Sequence, residues 1–259
     1  MQKTFTVVAI ATLILAFVSS ANADLLTGGL VSGQYLSFQT TSNGETRSSA
    51  VGHMNVTNLT SDTAFKAFCG DHSTYTSSDF SNSSKGQAYG AYSLWDASLT
   101  IYSDQQKTDI NNVFGYLYGL GFDTETGNVT NSTTAIAMQL MIWEILGDGG
   151  TGADGNGFDL SSGDFIVHQD SLTTAQQAVI DKVAEYSTML INDDWGNLLF
   201  SDYNMTVYVA EGGMYASQTL ISIENTAVPE PASMLIFGAG LAFGAPMIRR
   251  RLKNRNKKA

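Results

Sequence analysis

Apolar residues recur along this chain with two periods. Over 107–120, Ile110, Val113, Phe114, Leu117 and Tyr118 fall at the spacing of one helix face, and Gly119 and Gly121 supply stop signals. Over 133–146, Ile136, Leu140, Trp143, Ile145 and Leu146 form one broad helical stripe, with Thr133 or Thr134 as N-cap. A third helix is expected to run to Ile191 from a cap at Thr173 or Thr174, with Val179, Ile180, Val183, Tyr186 and Leu190 on its apolar side. Alternation at period two predicts strands at 33–39, 49–56, 64–69, 204–210 and 218–223. Asn43-Gly44 is a hairpin signal between the first two, and Gly212-Gly213 lies between the last two. The aromatic-rich stretch 89–102 fits a helix face or irregular packing equally well. Strands at both ends with helices between them predict an α+β domain: an antiparallel β-sandwich or barrel-like sheet with an inserted helical lobe.

Both ends of the chain read as sorting segments and stand outside the fold. Lys3 precedes an apolar run over 7–18, and Ala21-Asn22-Ala23 is a small-x-small cleavage site, so residues 1–23 read as a secretory signal peptide. Residues 24–227 form the exported domain. From 228 the chain holds Pro229-Glu230-Pro231, an apolar run over 232–248, and a basic end that includes Arg249, Arg250 and Arg251. A run of about 17 residues is at the short limit for a transmembrane helix, and the basic cluster would hold its end in the cytoplasm. By hydropathy alone, an ordinary permanent anchor looks the same. In its three-part order, segment 228–259 closely resembles the PEP-CTERM sorting signal of Gram-negative bacteria. The resemblance implies an exosortase-type processing enzyme as partner, transient anchoring in the inner membrane, removal of the tail near Pro229, and delivery to the cell surface or extracellular matrix.

Charge narrows the partners. Between Asp24 and Val228 the chain has 23 Asp plus Glu against 5 Lys plus Arg, a net charge of −18. Such a field repels nucleic acid and anionic membrane and attracts cations. Asp148, Asp154, Asp159 and Asp164 lie in or just after a glycine-rich stretch, 147–163, and offer oxygen ligands to Ca²⁺. Their spacing differs from the helix-loop-helix calcium pattern, and a solvated acidic loop explains them equally. No other cofactor is implied. Asn-x-Ser/Thr triplets at Asn55, Asn58 and Asn128 are glycosylation acceptors only in a host that performs that reaction.

Cys69 is the only cysteine, so no internal disulfide staples the exported domain. Its thiol is buried and inert, paired between molecules, or used in chemistry. Gln139 sits inside the apolar helix, four residues before Trp143 and on the same side. A buried amide is costly unless hydrogen-bonded or used. A cysteine held against a glutamine side chain can displace ammonia and leave an internal thioester, given proximity, exclusion of water and a donor for the oxyanion. An amine or hydroxyl then opens the thioester, so the protein reacts once. His72, three residues after Cys69, is a candidate assisting base, and a Cys-His hydrolase is the enzymatic alternative. A β-strand would put Cys69 and His72 on opposite faces unless the chain turns at Gly70.

Phe68-Cys69-Gly70-Asp71, the helical stretch 110–121 and the Gln-x-x-Ile-Trp string at Gln139 to Trp143 resemble the thioester domains of bacterial surface adhesins. The resemblance implies Cys69 as thioester cysteine, Gln139 as its acyl partner, and Phe68 and Trp143 as packing support. Met138 stands where the family commonly has Thr, and Gly70 where an aliphatic residue is usual. The reading is an exported surface or matrix protein that attaches covalently to an amine or hydroxyl of an extracellular target. The alternative is a non-covalent matrix protein with an unreacted cysteine.

Overall fold

The computed structural model describes residues 23–73, 80–82, 84–150, 158–212 and 217–223. The signal segment to residue 22, the tail with Pro229, Glu230, Pro231 and Arg249 to Arg251, Gly213 and Asp154 lie outside these residues. Ten elements follow in order: β1 (Asp24–Ser42), β2 (Glu45–Asn58), β3 (Thr63–Cys69), β4 (Gln87–Ser93), α1 (Asp104–Gly121), α2 (Ser132–Asp148), β5 (Phe165–Val167), α3 (Thr174–Asn192), β6 (Met205–Ala210) and β7 (Leu220–Ile223).

Every strand pairing is antiparallel. The order β2-β3-β7-β6-β4-β1 returns to its start because β1 also pairs with β2, so six strands close into a barrel and β5 adds to the far end of β1. Closure removes free sheet edges. β1 and β2 meet through a two-residue loop: Ser42 pairs with Glu45, and Asn43 and Gly44 both have positive φ, 51° and 79°. That is the primed turn the Asn-Gly pair predicts. Stretch 89–102 resolves into β4 and a following turn; β5 had no signal in the sequence.

The helices occupy the connections on either side of β5, an inserted lobe as expected. α1 and α3 each begin with a complete capping box, Ser103 with Gln106 and Thr173 with Gln176. The cap of α2 differs from expectation. Asn131, not Thr133 or Thr134, accepts the N–H of Thr134. α2 also lacks a polar face, because residues 134–145 are buried without a break. It lies between α1 and α3 and touches β1, β2, β3 and β5, so every side of it meets protein. Phe68 of β3 reaches the lobe, edge-on to Phe114 and Phe122.

His53 on β2 is buried edge-on against Phe122, and neither ring nitrogen has a hydrogen-bond partner among the described residues. Burial, reinforced by Lys66, lowers its pKa from 6.5 to about 4. As pH falls below 6.5 the unfolded chain takes up this proton before the folded one does. The stability tied to a neutral His53 is therefore present above pH 6.5 and lost as pH falls toward 4, up to about 3 kcal/mol. Urea melts of the mature protein from pH 7 to 5 should show this slope, and His53→Leu should flatten it; an unchanged slope refutes the assignment.

Candidate functional site

The site forms where two strands part. The β2–β3 ladder ends at Met54 and Ala67, and β3 continues to Cys69 without β2 beside it. On its other side β3 stays paired with β7, and Gly70 N–H donates to Thr219 O at 2.8 Å. A strand residue left without a neighbour has one N–H and one C=O to satisfy. Gln139 satisfies both: Cys69 N–H donates to Gln139 Oε1 at 2.7 Å, and Gln139 Nε2 donates to Cys69 O at 2.9 Å. The side-chain amide thus replaces the missing strand. It lies along the ladder direction, whereas side chains stand roughly perpendicular to a sheet. Since Phe68 faces α1, the Cys69 thiol faces the opposite way.

The amide at the thiol belongs to another residue. Gln218, just before β7, lines the same cavity as Cys69, acts on its thiol, and donates through Nε2 to Asp71 O at 2.8 Å. Burial and the Asp71 carboxylate push the thiol pKa up to about 12, with the Gln218 hydrogen bond acting in the opposite direction. Two buried phenols fix the main chain on each side. Tyr102 Oη donates to Gly70 O at 2.7 Å, and Tyr89 Oη lies 3.0 Å from both Ser217 Oγ and Gln218 O. Gly70 has a local reason: a Cβ there would sit 2.5 Å from the Tyr102 hydroxyl and 2.9 Å from Ile221 Cγ1.

Cys69, His72, Trp143 and Gln218 share the wall of one cavity of about 410 Å³. β3 ends at Cys69, and the chain bends at Gly70, which brings His72 to this wall. The His72 ring meets Phe165 edge-on, and its nitrogens have no hydrogen-bond partner among the described residues, the thiol included. Burial lowers its pKa, with Arg47 adding to this and Asp71 and Asp164 opposing it. The imidazole is therefore neutral at pH 7. Arg47 closes the end of the cavity by donating to His72 O and Ser73 O.

Of the residues singled out from the sequence, Cys69, His72 and Trp143 meet at this cavity, Gln139 braces the strand behind it, and Phe68 packs on the far face. The described acidic residues of the glycine-rich stretch do not line the cavity, although Asp164 is near enough to act on His72. Asp148 Oδ1 accepts from the N–H groups of Asp164 and Phe165, while Asp159 accepts from Ser161 and Ser162. Among the described residues no group of three or more His, Cys, Asp or Glu side chains is arranged to hold a metal ion, and no helix is long and apolar enough to cross a membrane. Sequence reading missed Gln218, Tyr89, Tyr102 and Arg47. The only available signal was three polar residues, Ser217-Gln218-Thr219, running into an apolar strand.

Residues 227–251 match the model of the PEP-CTERM protein-sorting motif. No curated protein matches the chain. Among solved structures it is similar to the N-terminal thioester domain of fibronectin-binding protein SfbI from Streptococcus pyogenes, with 14% identity, a TM-score of 0.46, and 79% of this chain and 94% of that one covered. It is also similar to the N-terminal domain of the Streptococcus pyogenes pilus tip adhesin Cpa, with 16% identity, a TM-score of 0.40, and 80% and 96% covered.

Proposed function

We propose that this is an exported surface protein that forms an internal thioester between Cys69 and Gln218 and spends it once, in covalent attachment to an extracellular target. The observation that carries this reading is the placement of the two glutamines. Gln218 shares a cavity wall with the Cys69 thiol and acts on it, whereas both polar ends of Gln139 are bound to the main chain of Cys69. Gln139 therefore acts as a brace, and the acyl role expected for it passes to Gln218.

In the reaction, Cys69 Sγ attacks Gln218 Cδ, the carbon–nitrogen bond breaks, and ammonia leaves with the thiol proton. A thiol raised to about 12 supplies little thiolate at pH 7. Attack is therefore coupled to proton transfer, for which neutral His72 in the same wall is the candidate acceptor. Burial excludes the water that would hydrolyse the product. The PEP-CTERM motif supports export, exosortase-type processing after transient anchoring in the inner membrane, and display on the surface of a Gram-negative bacterium.

One observation favours the competing reading of a passive matrix protein: Cys69 is buried, and its thiol is raised to about 12. A Cys-His hydrolase lacks the thiol–imidazole hydrogen bond that would activate its nucleophile. Intact mass of the freshly purified mature protein separates the readings. Thioester formation lowers the mass by about 17 Da, and methylamine then adds about 31 Da. Peptide mapping should place the N-methylamide on Gln218; a tag on Gln139 restores the first assignment. An unshifted mass with a titratable thiol supports the passive protein instead.

A further inference from the structure

The wall of the cavity bears on what opens the bond. A lysine nucleophile arrives as an ammonium ion and is best received by a carboxylate that holds the charge until the proton leaves. No Asp or Glu is among the described residues lining the cavity, and the charged side chain there is Arg47. Asp71 and Asp164 lie near enough to act on His72, but neither lines the cavity, and Asp71 Oδ1 accepts from Ser73 N and Ser73 Oγ, both at 2.7 Å. The remaining wall includes Ser48, Ser81, Trp143 and Ser49, whose Oγ is bonded to Thr40 Oγ1 at 2.9 Å. A volume of about 410 Å³ is that of a small-ligand pocket, and pockets of about 300–1,000 Å³ enclose ring-sized groups.

From this lining, we infer that the group acylated at this site is a sugar hydroxyl of an extracellular polysaccharide, so that attachment is an ester to glycan and not an amide to a protein lysine. The inference rests on the thioester reading above. A pyranose presents several hydroxyls to a wall that holds Ser48, Ser81 and Arg47. The hydroxyl oxygen attacks the Gln218 acyl carbon, the carbon–sulfur bond breaks, and the hydroxyl proton passes by way of the His72 imidazole to the Cys69 thiolate. A hydroxyl needs this proton acceptor at neutral pH, and His72 in the cavity wall is neutral there, with no hydrogen-bond partner for its nitrogens among the described residues.

The test uses the mature protein carrying the 17 Da loss, incubated at pH 7 with maltotriose or Nα-acetyl-lysine methylamide, singly and in competition. The maltotriose adduct is expected to dominate and to be released by hydroxylamine, as an ester is and an amide is not. His72→Gln should slow ester formation on the order of 100-fold and shift the competition toward the amine. Faster coupling to the lysine analogue, or a hydroxylamine-resistant adduct, overturns the inference and leaves the thioester standing. If the 17 Da loss is absent, the thioester reading falls, and this inference falls with it.

Discussion

Gln139→Ala is expected to cost the mature protein about 4 kcal/mol, because it strands the Cys69 N–H and C=O in the core and leaves a cavity, at about 1–3 kcal/mol per unsatisfied group. Gln139 is fully buried, so water does not replace it without entering α2's packing. The loss should appear in urea unfolding as a lower midpoint with an unchanged slope. Gln139→Glu keeps an acceptor for the Cys69 N–H but loses the donor to Cys69 O, and should recover only part of the loss. A midpoint unchanged in Gln139→Ala would mean that Cys69 does not depend on this brace. The methylamine site then becomes the deciding observation for Gln139.

The second large effect is a gain. Glu144 in α2 is 2% exposed and lies against the Asp148 side chain and the Asp159 main chain. Burial, with repulsion from Asp148 and Asp159 outweighing a backbone hydrogen bond from Asp159, pushes its pKa from 4.5 up to about 9. The folded protein therefore holds this proton at pH 7, while the unfolded chain releases it. The favourable contribution of the neutral acid is complete below pH 4.5 and is lost progressively as pH rises through 9. Glu144→Gln, which is isosteric with the neutral acid, should stabilise the protein by about 2–3 kcal/mol at pH 7. The gain should vanish at pH 4 and grow toward pH 9. Equal stability of the two proteins across this range would show that Glu144 ionises freely in the fold.

Helices α1 and α3 were legible because each keeps a solvent face and a capping box, so local spacing carries the signal. α2 was legible as a helix but not as a central one. Its Gln139 and Glu144 interrupt an otherwise apolar surface, and a stripe was the natural reading. β4 escaped because Tyr89, Tyr92 and Trp95 sit at a spacing that a helix also produces. The thiol was identified from its solitude in the chain. Gln218 drew no attention, since it is brought to the cavity of Cys69 by the β3–β7 pairing across about 150 positions, and no local period records such a proximity. Gln139 drew attention because a buried glutamine in an apolar helix needs a purpose. The purpose is to stand in for a strand, which is visible only once β2 and β3 are seen to separate.

The position of Gln218 immediately before β7 has a mechanical side. Under the proposed attachment, a target bonded to Gln218 and an attachment point beyond Ile223 would be separated by six residues of chain, 218–223. Tension between them is carried by β7 itself, and the hydrogen bonds to β3 and β6 lie off the covalent load path. The barrel and helices can remain folded under a pull that would unravel them if the bond were made at residue 139, where α2, α3 and β6 would all lie in series with the load.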